Sequence, residues 1–111
     1  MDYTKMVELY GIDVEDELEV SPFEYLDTFG LRSDLYKNKD KLDQTQRDLL
    51  QKYDQLLLER CEEFYNYMKN IYSFGDTSKP LAEWWWHLDQ VLSGEIKVEI
   101  LENKVVYKGD L

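Results

Sequence analysis

The sequence predicts a small α+β protein, mainly α-helical with a C-terminal β-hairpin, in which one long central helix is packed by shorter helices. Three observations carry this. From Leu50 to Ile71, apolar residues recur at steps of three and four, in a stretch from Asp43 that meets no glycine or proline before Gly75. Ser21, Pro22 and Glu24 spell a helix start, with serine as N-cap, proline at N1 and glutamate at N3 to close a capping box. From Ile96 to Tyr107 apolar and polar residues alternate with the period of a strand, around a polar break at Glu102 and Asn103.

The elements follow in order. Tyr3, Met6, Val7 and Tyr10 share one helical face, and Gly11 is placed to end that helix. Residues 12–20 then read as a solvated acidic connector, because Asp13, Glu15, Asp16, Glu17 and Glu19 crowd like charge into seven positions. Helix two runs from Pro22 to Phe29, with Gly30 supplying a left-handed terminus and Leu31 the accompanying apolar contact. Ser33 to Lys41 reads as a short helical or turn segment.

The long helix opens at Asp43, with Gln46 reaching back to complete the cap. Its stripe comprises Leu50, Leu57, Cys61, Phe64, Met68 and Ile71, interrupted by Asp54 and widened by Leu49, Tyr53 and Leu56. Roughly 29 helical residues span about 43 Å, whereas a compact domain of this length has a radius of gyration of about 13 Å. Such a helix either kinks or overhangs the core and packs on another chain, and a homodimer or partner contact is the expectation.

After a polar loop from Asp76 to Lys79, Pro80 begins a helix in which Leu81, Trp84, Trp85, Leu88 and Val91 share one face and Leu92 its edge. Gly94 ends it. With a two-residue turn, the hairpin pairs Ile100 with Val105 and Val98 with Tyr107, which leaves Lys97, Glu99, Val106 and Lys108 on the other face. An isolated two-stranded hairpin is marginal in water, so it docks on the tryptophan helix or takes a third strand from a partner.

At 111 residues, without internal repeats or low-complexity tracts, the chain reads as one domain over residues 1–111. Its 43% hydrophobic and 14% aromatic content is too rich for a disordered chain. The lone Cys61 makes no internal disulfide, the N-terminal residues lack the basic and apolar regions of a secretion signal, and no run is long enough to span a membrane. A cytoplasmic protein without membrane association is therefore expected. Of the net charge of −11, residues 1–30 carry −8, since their nine acids face only Lys5. Such a surface repels phosphate, which excludes direct binding of a nucleic-acid backbone, and it favours basic proteins or cations.

His87 is the only imidazole, so sites needing two histidines are excluded. Glu83 and His87 stand one helical turn apart and suit either a salt-linked pair or the start of a metal- or carboxylate-dependent enzyme site. Cys61 lies on the apolar stripe beside Glu62 and Glu63, which suits a buried small hydrophobe better than a nucleophile. The acidic run lacks the glycine and spacing of an EF-hand loop, and the five glycines form no phosphate-binding loop. No metal site, cofactor or catalytic residue is implied.

The unusual feature is aromatic: Phe64, Tyr65, Tyr67, Tyr72, Phe74 and all three tryptophans fall within 23 residues. On a regular helix Trp86 lies about 100° from Trp85, so Trp86 is expected as an exposed anchor, while Tyr65, Tyr67 and Tyr72 suit equally an interface or the filling of the core and its edges. The leading reading is a non-enzymatic binding or accessory protein. Glu15, Asp16 and Glu17 would steer a basic partner and Trp86 would supply a hot spot, in sharper form as an inhibitor of a basic or nucleic-acid-binding protein. The competing readings are a small enzyme built on Glu83 and His87, and a structural subunit whose hairpin edge or long helix packs into neighbours.

Overall fold

A computed structural model describes residues 2–75, 78–102 and 104–108. The side chain of Asp2 accepts from the Lys5 amide and opens helix α1, Tyr3–Glu15. Val7, Tyr10, Gly11 and Val14 form its buried face. Gly11 does not end the helix but lies inside it, against the Tyr53 ring, where an added Cβ would stand 2.2 Å from Cε2. The glycine is there for close approach, and the helical hydrogen bonds continue through it.

Ser21 caps α2, Pro22–Lys37, by accepting from the Phe23 amide, with Pro22 at the first position, but among the described residues the Glu24 side chain does not bond back to Ser21 and the expected capping box does not close. Gly30 again falls within the helix, and α2 absorbs most of the segment expected to be a separate turn. Continuing past Gly30 buries Arg32, Ser33 and Leu35, which outweighs the roughly 1 kcal/mol that an interior glycine costs. A 3-10 turn at Lys39–Lys41 then leads to α3, Gln44–Glu59. Its capping box forms as the sequence indicates: Asp43 accepts from the Gln46 amide at 2.8 Å and Gln46 Oε1 from the Asp43 amide at 2.9 Å.

The expected long helix breaks. Arg60, with φ −101° and ψ 15°, separates α3 from α4, Cys61–Met68, and Ile71 lies beyond the helical part. The Arg60 guanidinium donates to the carbonyls of Val14 and Asp16 at 2.5 and 2.6 Å, tying the bend to the end of α1. With the bend, the molecule measures 36 × 33 × 24 Å and none of the described helices overhangs it, so helix length no longer argues for a dimer. α1 and α3 run in the same direction: Gln46 bonds Thr4 near their starts, and Arg60 reaches α1 near their ends. α2 runs antiparallel to α1, which packs against both α2 and α3, with Tyr3 bonded to Asn38 at one end and Asp13 to Thr28 at the other.

The tryptophan segment is not the helix its apolar spacing implies. Of the preceding polar loop, Asp76 and Thr77 lie outside the described residues. Trp84–Trp86 form a 3-10 turn, His87 breaks it, and helix α5 covers only Leu88–Ser93, ended by Gly94 at φ 82°. Three consecutive residues of a 3-10 turn point around a full circle, so all three rings can be buried only where protein surrounds the turn. Such is the case here. Trp85 packs its edge on Tyr36, Trp86 meets Phe29 and Tyr72, and all three tryptophans are buried.

Strands β1, Ile96–Glu99, and β2, Lys104–Tyr107, form the expected antiparallel hairpin, with Val98 opposite Val105 and Ile96 opposite Tyr107. The register is displaced by two residues from the expected pairing, and the connection spans 100–103, where Asn103 lies outside the described residues. A two-residue displacement leaves every side chain on its expected face. It also sets Glu99 opposite Lys104, whose ammonium lies 3.5 Å from Glu99 and 2.9 Å from Glu102. The hairpin docks through Ile96, which is buried, and through Val98, Ile100 and Val105, which pack on the same hydrophobic cluster as the helices. Among the described residues no helix is long and apolar enough to cross a membrane.

Candidate functional site

The acidic segment is a tied loop rather than a solvated connector. α1 carries residues 12–15 in helical form, and Asp16 takes over as its C-cap. The Asp16 carboxylate accepts from the Tyr25 hydroxyl, and that bond above all, with the nearby amides of Glu17, Glu19 and Leu18, holds its pKa below the usual carboxylate range. Leu18 adopts a left-handed backbone at φ 61°, a conformation that costs a residue with a side chain about 1–2 kcal/mol. It is half-buried against the core, which holds it there. Asp13 accepts from Thr28 Oγ1 at 2.8 Å.

Two of the five acids thus organise the loop, while Glu15, Glu17 and Glu19 are exposed and make no ion pair among the described residues. Of the three steering carboxylates the sequence suggests, Glu15 and Glu17 face solvent and Asp16 is structural.

The aromatic candidates do not form one patch. Trp86, expected as the exposed anchor, is only 7% exposed, and its indole donates to Ser33 Oγ at 2.8 Å. Tyr65 and Tyr72 are half-buried against Phe74, at 5.3 and 4.9 Å between ring centroids. Tyr67, about 200° around α4 from Tyr65, faces the other way. It packs edge-on against Tyr25 at 5.8 Å and donates to the Val20 carbonyl, which places it beside the acidic loop.

Flanking that loop are apolar side chains that sequence periodicity did not single out. Ile12 is 63% exposed and Phe23 61%, and Leu9 and Val20 are also exposed. Once α1 is recognised to run through Glu15, the signal is legible: Leu9, Ile12 and Asp16 lie on the helical side opposite Val7, Tyr10 and Val14.

Asp54, the polar break in the α3 stripe, is the centre of a buried network. Its Oδ1 accepts from Tyr10 at 2.7 Å and from Arg32 Nε at 2.9 Å, while Oδ2 accepts from Arg32 Nη2 at 2.8 Å. The guanidinium lies 4.3 Å from the centre of the Trp85 ring. A lone aspartate on an apolar face was the available signal, but its partner on α2 is 22 residues away.

Glu83 and His87 are both buried: Glu83 borders an open hollow beside Trp86 that His87 does not line, and the His87 Nε2 bonds the Lys79 carbonyl at 2.8 Å. Among the described residues no three of His, Cys, Asp and Glu group as metal ligands. Cys61 is buried, its sulfur donates toward the Leu88 carbonyl at 3.7 Å, and burial, with Asp89 and Glu62, pushes its pKa up to about 12. That is the opposite of thiolate activation. No protein-family model, curated protein sequence or solved structure matches the chain significantly, so the functional reading rests on this geometry alone.

Proposed function

We propose that the protein is a non-enzymatic binding protein that holds a basic protein partner on its acidic N-terminal surface. The observation that carries this is the pairing of exposed carboxylates with exposed large apolar side chains around one tied loop: Glu15, Glu17 and Glu19 beside Ile12 and Phe23. The carboxylates attract and orient a basic partner, and desolvation of the apolar groups supplies affinity. Holding the loop through Asp16, Tyr25, Arg60 and Tyr67 reduces the ordering cost on binding. Tyr67 replaces Trp86 as the aromatic member of the surface.

The test is a comparative pull-down from native lysate at low and high salt. It uses wild type, Glu15→Gln/Glu17→Gln/Glu19→Gln, and Ile12→Ser/Phe23→Ser, each with its thermal stability measured. The expected result is a stoichiometric basic protein that salt releases and that both variants lose while remaining folded. A partner captured equally by all three chains, or one that is acidic, would overturn the reading.

A further inference from the structure

A second surface has the opposite electrostatic character. Between α2, α3 and the hairpin lies a groove of about 500 Å³, within the usual range for small-molecule sites. Four of the chain's thirteen cationic side chains line it, Arg32, Lys39, Arg47 and Lys104, against the carboxylates of Asp40, Asp54 and Glu99. Arg32 is paired with Asp54, and Lys104 with Glu99 and Glu102, which leaves Lys39 and Arg47 with the single carboxylate of Asp40.

Arg32 gives the groove a direction. It is 4% exposed, and Nε and Nη2 are committed to Asp54, but Nη1 is buried and has no hydrogen-bond partner among the described residues. An orphaned donor on a buried guanidinium costs free energy unless something accepts from it. At the mouth, Arg47 lies against the Lys39 carbonyl at 3.4 Å, and the Lys39 ammonium sits 4.2 Å over the Tyr36 ring. Neither Lys39 nor Arg47 makes an ion pair among the described residues, although the chain holds 24 acids. Much of the remaining wall is apolar, with Leu50, Trp84, Val98 and Val105 among it.

The geometry points to a binding site for a small organic monoanion, a carboxylate carried on an apolar body. Its oxygens accept from Arg32 Nη1 and are neutralised by Lys39 and Arg47, while the body lies against the apolar wall. Lys39 and Arg47, set against Asp40, match one carboxylate and not a phosphate dianion, which the three lining carboxylates repel. The site shares no residue with the acidic loop and does not depend on the protein-binding reading.

The experiment is a titration of the full chain with octanoate, with 1-octanol and inorganic phosphate as comparison probes, followed by calorimetry and by NMR of the arginine side-chain N–H groups. Octanoate is expected to saturate one site and to shift the Arg32 resonances, with octanol and phosphate each binding about tenfold or more weakly. Arg32 variants lose a buried ion pair and will unfold readily, so the mouth is tested instead. Lys39→Gln/Arg47→Gln is expected to weaken octanoate about tenfold or more at unchanged melting temperature. Octanol binding as tightly as octanoate, phosphate binding as tightly, failure to saturate, or indifference to the double variant each overturns the proposal.

Discussion

Arg32 and Asp54 meet across the α2–α3 interface in a two-pronged ion pair, with Nε at 2.9 Å from Oδ1 and Nη2 at 2.8 Å from Oδ2, almost wholly out of water. Removing one partner strands the other charge in the core, and such changes cost about 3–5 kcal/mol, a large part of a typical domain's 5–15. Asp54→Ala should therefore lower the urea midpoint severely. Arg32→Met/Asp54→Leu, which removes both charges and restores apolar volume, should recover most of the loss. Equal damage by the single and double variants would mean that shape, not charge pairing, governs this interface.

Ser33 is a joint acceptor for two indoles, Trp85 at 3.0 Å and Trp86 at 2.8 Å. Ser33→Ala leaves both buried donors without that acceptor, at about 1–3 kcal/mol each. Trp86→Ala removes a buried ring and should cost about 3–5 kcal/mol. These losses are best followed by far-ultraviolet circular dichroism, because the tryptophan fluorescence itself changes. Trp86→Ala leaving stability nearly untouched would restore Trp86 as a surface anchor.

What the sequence conveys correctly is local. The N-cap at Ser21, the capping box at Asp43, the stop at Gly94 and the strand faces depend on residues a few positions apart, and each forms. What it misreads is decided at a distance. Gly11 resembles a helix stop until Tyr53 packs on it, 42 residues later. The bend at Arg60 has no glycine or proline to announce it, because the groups that hold it are the Val14 and Asp16 carbonyls. Asp16 reads as one more solvated acid, and the bond its side chain accepts from Tyr25 sets it apart from Glu15 and Glu17. The consecutive tryptophans follow helical spacing, yet burying all three favours a 3-10 turn surrounded by rings.

The two helical glycines should respond in opposite directions to the same substitution. Around Gly30 nothing lies within 4 Å of an added Cβ, so Gly30→Ala gains helix propensity and should stabilise by about 0.8–1 kcal/mol. At Gly11 the added carbon would meet three atoms of the Tyr53 ring, the farthest at 2.6 Å. Tyr53 must leave its edge contact with Tyr10, so Gly11→Ala should destabilise by about 1–3 kcal/mol despite the same propensity gain. Thermal melts of the two variants check this, and a stabilising Gly11→Ala would show that α1 and α3 are not in close contact there.

Alkaline pH should unfold the protein through its buried neutral acids. Burial, with Asp89 and Glu62, pushes the Cys61 thiol up to about 12. Burial and then Asp54 raise Tyr10, and burial and the bond to Asp16 raise Tyr25. In the unfolded chain these groups lose their protons first, near about 8.5 for cysteine and about 10 for tyrosine. Above those values the unfolded state binds fewer protons than the folded one, so stability falls as pH rises. The contribution is complete below the unfolded pKa and is lost on the way up to the folded one. Urea midpoints should therefore hold steady up to about pH 8.5 and then decline, more steeply above about pH 10 as the tyrosines join. Cys61→Ala, whatever its baseline stability, should lose the decline that begins near about 8.5 and keep the one that begins near about 10. An identical alkaline profile in wild type and Cys61→Ala would show that the thiol is accessible in the folded protein, and rapid reaction of native Cys61 with a thiol reagent would show the same.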